Sequence, residues 1–166
     1  MSTTDLSKYD PSAVPSGKKK RFSIIVSEWN SEVTNGLLKG AIETLIKHDV
    51  REKDIFVSYV PGSFELIYAA AKTRAKSTNK CDAIIVLGSV VRGETPHFDY
   101  ISQSVMINIG HLNMYQQFPG LDNLIPVING VLTTDDMQQA LDRSGGRLGN
   151  KGVECAITAL KMVDYK

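Results

Sequence analysis

Ala83-Ile84-Ile85-Val86-Leu87-Gly88 is the stretch that decides the fold. Its consecutive apolar side chains leave neither face of a strand for water, and a strand buried on both faces belongs to a parallel sheet covered on both sides by helices. Working outward from it, residues 22–26 (Phe-Ser-Ile-Ile-Val), 55–60 (Ile-Phe-Val-Ser-Tyr-Val) and 126–132 read as three more strands, the second stopped by Pro61-Gly62. Between strands the apolar residues switch to helical spacing. Val33, Leu37, Leu38, Ala41, Ile42, Leu45 and Ile46 share one face, behind a cap at Asn30 or Ser31. Helices are predicted over residues 64–76 and 99–115. Another opens at Thr133 or Thr134 with Asp135-Asp136, and the last spans 151–163 with Val153, Ala156, Ile157, Leu160 and Met162 facing inward. Strands alternating with helices make repeated βαβ units. The predicted class is α/β, a central four-stranded parallel sheet in a three-layer αβα sandwich.

The 166 residues fit one domain with a single core, and 42% apolar with 22% charged residues is ordinary globular usage. A net charge of +1 gives no field directed at nucleic acid or an anionic membrane. The one basic run, Lys18-Lys19-Lys20-Arg21, reads as a solvated lead-in to the first strand. No apolar stretch approaches the roughly 20 residues of a membrane span, and residues 1–17 lack the apolar core of a signal peptide. Residues 1–20 read as a polar arm without its own core, and 21–166 as the domain. Cys81 and Cys155 lie far apart with no His cluster, so they read as buried fillers in a reducing compartment, not as a disulfide or zinc site. The expected location is the cytoplasm.

In such a sheet ligands bind beyond the carboxyl ends of the strands, which directs attention to the loops after Ser27, Val60, Gly88 and Leu132. The third loop, residues 88–100, holds two glycines, a hydroxyl and His97 just before a helix. Backbone amides at such a turn can hold a phosphate, although the Gly-Lys-Ser/Thr ending of a P-loop is missing. His97 has the side chain best suited to proton transfer near neutrality. The second loop places Ser63, Phe64 and Glu65 at a helix start: an aromatic surface, a carboxylate and free amides. The first loop gives Trp29-Asn30, and Arg143 precedes the glycine-rich Ser144-Gly145-Gly146-Arg147, where it can serve as a phosphate clamp. His48 closes a helix and reads as a cap whose positive charge suits the dipole, and His111 reads as structural. Carboxylates and histidines do not cluster at metal-ligand spacing.

Over residues 21–163 these motifs closely resemble lumazine synthases. Residues 88–100 (Gly-Ser-Val-Val-Arg-Gly-Glu-Thr-Pro-His-Phe-Asp-Tyr) look like the family's glycine, arginine, histidine and Asp-Tyr signature. Val60-Pro-Gly-Ser-Phe-Glu65 looks like its uracil-binding loop, and Gln139-Ala-Leu-Asp-Arg143-Ser-Gly with Gly149-Asn-Lys-Gly152 matches its phosphate-side segment. Four ordered motifs are far more specific than any one. The resemblance implies a flavodoxin-like sandwich and a condensation of 5-amino-6-(D-ribitylamino)uracil with 3,4-dihydroxy-2-butanone 4-phosphate, needing no cofactor and no metal. By position, His97 would transfer protons. Trp29 and Phe64 would pack on the heterocycle, and Ser63, Glu65, Ser89, Val90 and Val91 would hold the uracil and ribityl groups. Glu94, Thr95 and Arg143 would hold the phosphate.

Two departures stand out. Asn129 occupies a position, reaching the neighbouring subunit's pocket, where the family often carries an aromatic; losing that ring costs about 0.5–1.5 kcal/mol of stacking. Glu28 stands where a basic residue usually precedes the first-loop aromatic. The resemblance further implies homo-oligomers: pentamers with active sites at subunit interfaces, some closing into hollow sixty-subunit shells, with riboflavin synthase as a candidate cargo. The turn 145–150 lacks the insertion of family members that stop at pentamers, which favours the shell of 12 pentamers. The polar arm would then add an edge strand to a neighbour's sheet. Two competing readings remain, a flavin-binding module without catalysis and a shell protein whose site has decayed. The first leaves His97 and Arg143 without a task, and only Asn129 favours the second.

Overall fold

In a computed structural model that describes residues 4, 5, 7–75, 81–114 and 125–165, strand β3 (Ala83–Val91) runs inside the sheet, between β1 (Phe22–Ser27) and β4 (Val127–Thr134). Strand β2 (Ile55–Val60) flanks β1 on the other side, so the order is β2-β1-β3-β4, all parallel. The register pairs Phe22 with both Ile55 and Ala83, and Ile84 with Val127. Side chains alternate between two cores, as the period of a strand requires. Ile24, Val26, Ile85, Leu87 and Leu132 face α1 (Ser31–Lys47), α4 (Met137–Asp142) and α5 (Lys151–Val163). Ile25, Ile84, Val86 and Val131 face α2 (Glu65–Ala75) and α3 (His97–Met114). The four-stranded parallel α/β sandwich read from the sequence is the observed fold.

The helices on the first face approach closely because glycine lets the start of α5 lie against the backbone of α1. At Gly152 an added Cβ would lie 1.9 Å from the Leu37 carbonyl oxygen, inside any van der Waals contact. Asn150 caps α5 with its carboxamide oxygen, accepting from the Gly152 and Val153 amides, while its Nδ2 donates to the Gly36 and Ser144 carbonyls. One side chain thereby fixes both the start of α5 and its distance from α1.

Several boundaries differ from the sequence reading in ways that matter for the site. Strand β3 continues three residues past Gly88, pairing Val90 with Thr133 and Val91 with Thr134, so Ser89, Val90 and Val91 lie in the sheet and not in a loop. Helix α3 begins at His97, because the Pro96 carbonyl already accepts from the Asp99 and Tyr100 amides. Helix α4 is capped by Asp136, whose carboxylate accepts from the Gln139 amide, while Thr134 still belongs to β4. A small hairpin of β5 (Ser144–Gly146) and β6 (Gly149–Asn150) replaces the plain turn expected there. The predicted helix ends at Lys76 and Tyr115 lie outside the described residues, as do parts of the arm and Lys166.

Cys81 and Cys155 are free and buried, as read from the sequence, and burial pushes the Cys155 thiol up to about 12. The arm has no core of its own but is seated on the domain's. Val14 is buried in the first core, Tyr9 packs against it, and the Gly17 amide donates to the His48 carbonyl at 2.7 Å. His48 does cap α1, yet it is buried, and burial followed by the neighbouring Lys47 pulls its pKa down. The dipole's preference for a cation is therefore overridden by desolvation at this position.

Candidate active site

The carboxyl ends of β1, β2 and β3 open into a cavity of about 410 Å³ lined by Trp29, Asn30, Ser63, Phe64, Glu65, Ser89, Val90, Val91, His97 and Ile101. Eight of these were singled out from sequence. They meet because parallel strands deliver their following loops to one edge of the sheet.

Each wall has a local cause. The β1–α1 loop is tied down by the Glu28 and Trp29 amides, which donate to the carbonyls of Val60 and Pro61. Asn30 then takes the left-handed conformation (φ 57°) as the N-cap residue of α1, its carbonyl accepting from the Val33 and Thr34 amides, while its Nδ2 donates to the Ser89 carbonyl at 3.1 Å. Trp29 stands 66% exposed at the cavity mouth with its ring against Gly62, where an added Cβ would come within 2.6 Å of two ring carbons. The Glu65 carboxylate reaches back to accept the Gly62 amide at 3.0 Å, which shapes the turn that presents Phe64, itself 49% exposed. Two large aromatic faces left open to solvent at one opening form a platform for a flat, polar heterocycle.

Beneath the aromatics the floor is made of small hydroxyls. Gly88 lets the start of α2 approach β3, since an added Cβ there would meet the Ser63 Oγ at 2.6 Å and the Leu66 side chain at 3.0 Å. Ser63 and Ser89 are 7% and 5% exposed and line the cavity, and neither hydroxyl has a hydrogen-bond partner among the described residues. A buried unpaired hydroxyl costs about 1–3 kcal/mol, so these two are suited to a polar ligand that supplies the missing partners.

His97, the first residue of α3, is exposed and lines the same cavity. Glu94 and Thr95 lie in the exposed turn between Val91 and His97 and are not among the residues that line the cavity. Arg92, which the sequence reading did not select, lies over the Phe98 ring and pairs with Asp99 and Asp135. Among the described residues no three His, Cys, Asp or Glu side chains are grouped to hold a metal ion.

Two expected residues lie elsewhere in the chain. Asn129 lines a second concavity of about 330 Å³, together with residues of α5. Its Nδ2 contacts the Met106 sulfur at 2.8 Å, and its carboxamide oxygen accepts from the Val131 amide. Arg143 follows α4 and is buried, donating to the Leu148 carbonyl and the Glu154 carboxylate. Glu154 also accepts from the Lys151 ammonium at 2.9 Å, so one carboxylate binds two cations. Sequence reasoning missed Ile101 and Asn30 as lining residues, and also Lys151 and Glu154. The i, i+3 spacing of Lys151 and Glu154 at a capped helix start was the available signal.

The sequence model of the 6,7-dimethyl-8-ribityllumazine synthases matches residues 19–166. A protein of that name from Phocaeicola vulgatus is 52% identical over 162 residues, covering 98% of this chain and 91% of that one. Those of Porphyromonas gingivalis and Parabacteroides distasonis are 51% and 50% identical, covering 95% and 97% of this chain and 92% and 95% of theirs. Likeness of this extent, spanning every loop that walls the cavity, establishes that the chain belongs to the 6,7-dimethyl-8-ribityllumazine synthase family.

Proposed function

We propose that the cavity condenses 5-amino-6-(D-ribitylamino)uracil with 3,4-dihydroxy-2-butanone 4-phosphate to 6,7-dimethyl-8-ribityllumazine. The observation that carries this reading is the meeting of two open aromatic faces, two unpaired buried hydroxyls and one histidine around a single opening. The uracil's amine adds to the ketone and loses water to give an imine. Elimination then expels phosphate, and attack by the ribitylamino nitrogen closes the ring with loss of a second water. Trp29 and Phe64 stack on the heterocycle. Ser63, Glu65, Ser89, Val90 and Val91 hold the uracil and ribityl groups, and Glu94, Thr95 and Arg143 hold the phosphate. His97 carries the protons that imine formation, elimination and closure must move. Holding two reactants together contributes up to roughly 7–11 kcal/mol, so loss of His97 slows the reaction without abolishing it.

The enzyme works as a homo-oligomer whose sites are completed by a second copy. This is supported by Asn129 and Arg143, which lie outside the cavity of their own chain. Edge strand β2 also leaves Phe56, Val57 and Tyr59 exposed, an apolar edge that a neighbour would cover. Pentamers joined as a hollow shell of 12 fit the short connection through β5 and β6. Addition of the arm to a neighbour's sheet requires Val14 and Tyr9 to leave their present seat. No helix among the described residues is long and apolar enough to cross a membrane, and the reading places the enzyme in the cytoplasm.

The test is an assay of both substrates that follows lumazine fluorescence and phosphate release. Wild type should form product and His97→Ala should form it more slowly. A folded wild type that yields no lumazine, or that purifies yellow and only binds flavin, overturns the reading. An unchanged rate in His97→Ala keeps the reaction and removes the role of His97.

A further inference from the structure

The geometry points to Arg92 as a positioning residue for His97, one that locks the first turn of α3 to the β4–α4 loop. Arg92 directly follows β3, and its backbone amide donates to the Thr134 carbonyl at 2.9 Å, so its Cα is fixed to the sheet. From there the guanidinium reaches forward to both residues that follow His97. Its Nη1 and Nη2 donate to the two Asp99 carboxylate oxygens at 3.2 and 3.0 Å, and its Cζ lies over the Phe98 ring, 4.1 Å from the ring centre. The third nitrogen, Nε, reaches Asp135 in the next loop at 3.0 Å.

A planar fork bound at two oxygens and lying over a ring resists rotation as well as displacement. Holding Phe98 and Asp99 therefore sets the azimuth of the first helical turn, and with it the direction in which the Cα–Cβ bond of His97 points. His97 needs such an external fix. Its imidazole is exposed, and the residues before it form an exposed turn in which a Cβ added at Gly93 would meet no described atom within 4 Å beyond its chain neighbours.

Arg92 is poorly placed to be the phosphate ligand, because Nε, Nη1 and Nη2 all face carboxylates that offset its charge. The bonds to Asp99, and then to Asp135, raise its pKa further above the ordinary arginine value. These ion pairs are solvent-exposed, at 41% for Arg92, 57% for Asp99 and 70% for Asp135, so they add little to stability. Their effect belongs in orientation, where small misplacements are expensive.

This inference rests on the reading of His97 as the proton carrier. The experiment compares assembled wild type with Arg92→Lys and Asp135→Asn, each also in a His97→Ala background, and measures kcat, KM for both substrates and thermal midpoint. A lysine keeps the charge but cannot span Asp99 and Asp135 or stack on Phe98. The expected result is a drop in kcat of about tenfold for Arg92→Lys, a smaller drop for Asp135→Asn, and unchanged KM for the sugar phosphate. The His97→Ala background should show no further loss from either change. A raised KM for the sugar phosphate at unchanged kcat overturns the inference and makes Arg92 a phosphate ligand. Full additivity with His97→Ala overturns it too. Should Arg92→Lys not fold, Asp135→Asn decides, since it cuts one tether at an exposed side chain. His97→Ala at the wild-type rate removes the proton-carrier reading and this inference with it. A slow His97→Ala beside an unimpaired Arg92→Lys overturns only the positioning role.

Discussion

Asn30 Nδ2 donates to the Ser89 carbonyl oxygen over 3.1 Å, joining residues 59 positions apart in sequence and tying the loop that carries Trp29 to the strand that carries Val90 and Val91. Because Asn30 is also left-handed, at φ 57°, it does two jobs that different substitutions separate.

Asn30→Gly keeps the left-handed turn at no steric cost and loses only the tether, about 1 kcal/mol. Asn30→Ala loses the tether and adds left-handed strain of roughly 1–2 kcal/mol. The thermal midpoints should therefore fall in the order wild type, Gly, Ala. Both variants should raise KM for the ribitylaminouracil, since in each the loop that carries Trp29 keeps its ties to Val60 and Pro61 but loses the one to β3. Equal midpoints for Gly and Ala would show that the backbone conformation at residue 30 carries no strain.

Gly62→Ala tests the aromatic platform. The added methyl would lie 2.6 Å from two Trp29 ring carbons, and the ring, already at the surface, swings outward more cheaply than the backbone shifts. Trp29 is the only tryptophan of the chain, so its emission reports the movement directly. The expected result is red-shifted emission, a near-normal midpoint and up to about tenfold weaker uracil binding, the equivalent of 0.5–1.5 kcal/mol of stacking. Unchanged emission and affinity would place the ring elsewhere in solution.

The sheet and the main cavity wall were legible in the sequence because long apolar runs and loop motifs are local signals. Residues 55–60 and 151–163 show this best, since both ranges coincide with the elements that form. What was not legible depended on partners far away in the chain. Val90 and Val91 look like loop until Thr133 and Thr134 pair with them. Asn30 stands at the cap position read for it, but the bond its side chain makes is to the Ser89 carbonyl, far away in sequence. The β5–β6 hairpin, three residues against two, is too short to carry any periodicity. Arg143 reads as a free clamp in sequence, whereas folding gives it Glu154 as a partner.

His48 gives the fold a dependence on pH whose sign follows from burial. Its Nε2 lies 3.1 Å from the Tyr9 hydroxyl, and burial, then Lys47, lower its pKa from 6.5, with Asp49 opposing. Below pH 6.5 the unfolded chain takes up this proton before the folded chain does. The stabilisation is therefore complete above 6.5 and is lost as pH falls through the lowered folded value. His48→Gln should flatten the fall of the midpoint on that acid side. Because His48 also accepts the Gly17 amide through its carbonyl and meets Tyr9, acid should expose the arm to protease before the domain opens. A slope that survives His48→Gln would assign the acid sensitivity to another group.

The proposed sharing of the site between copies has a sharper consequence than either mutation alone. His97 lines the cavity of its own chain, while Arg143, at the C-terminal end of α4 and outside that lining, is held by Glu154 and Leu148. If each site draws His97 from one subunit and Arg143 from the next around a ring, His97→Ala and Arg143→Gln damage every site in their own homo-oligomers. Unfolding the two variants together and refolding them as mixed rings creates sites in which an intact His97 faces an intact Arg143. With equal amounts mixed at random, about one site in four is restored in a closed ring of head-to-tail contacts. Activity should then rise from the residual level of the variants to roughly a quarter of wild type. Were both residues to serve a site within one chain, mixing would average the two residual activities and restore nothing. The size of the recovery also tests the stoichiometry, since it depends on each subunit giving its arginine to one neighbour only.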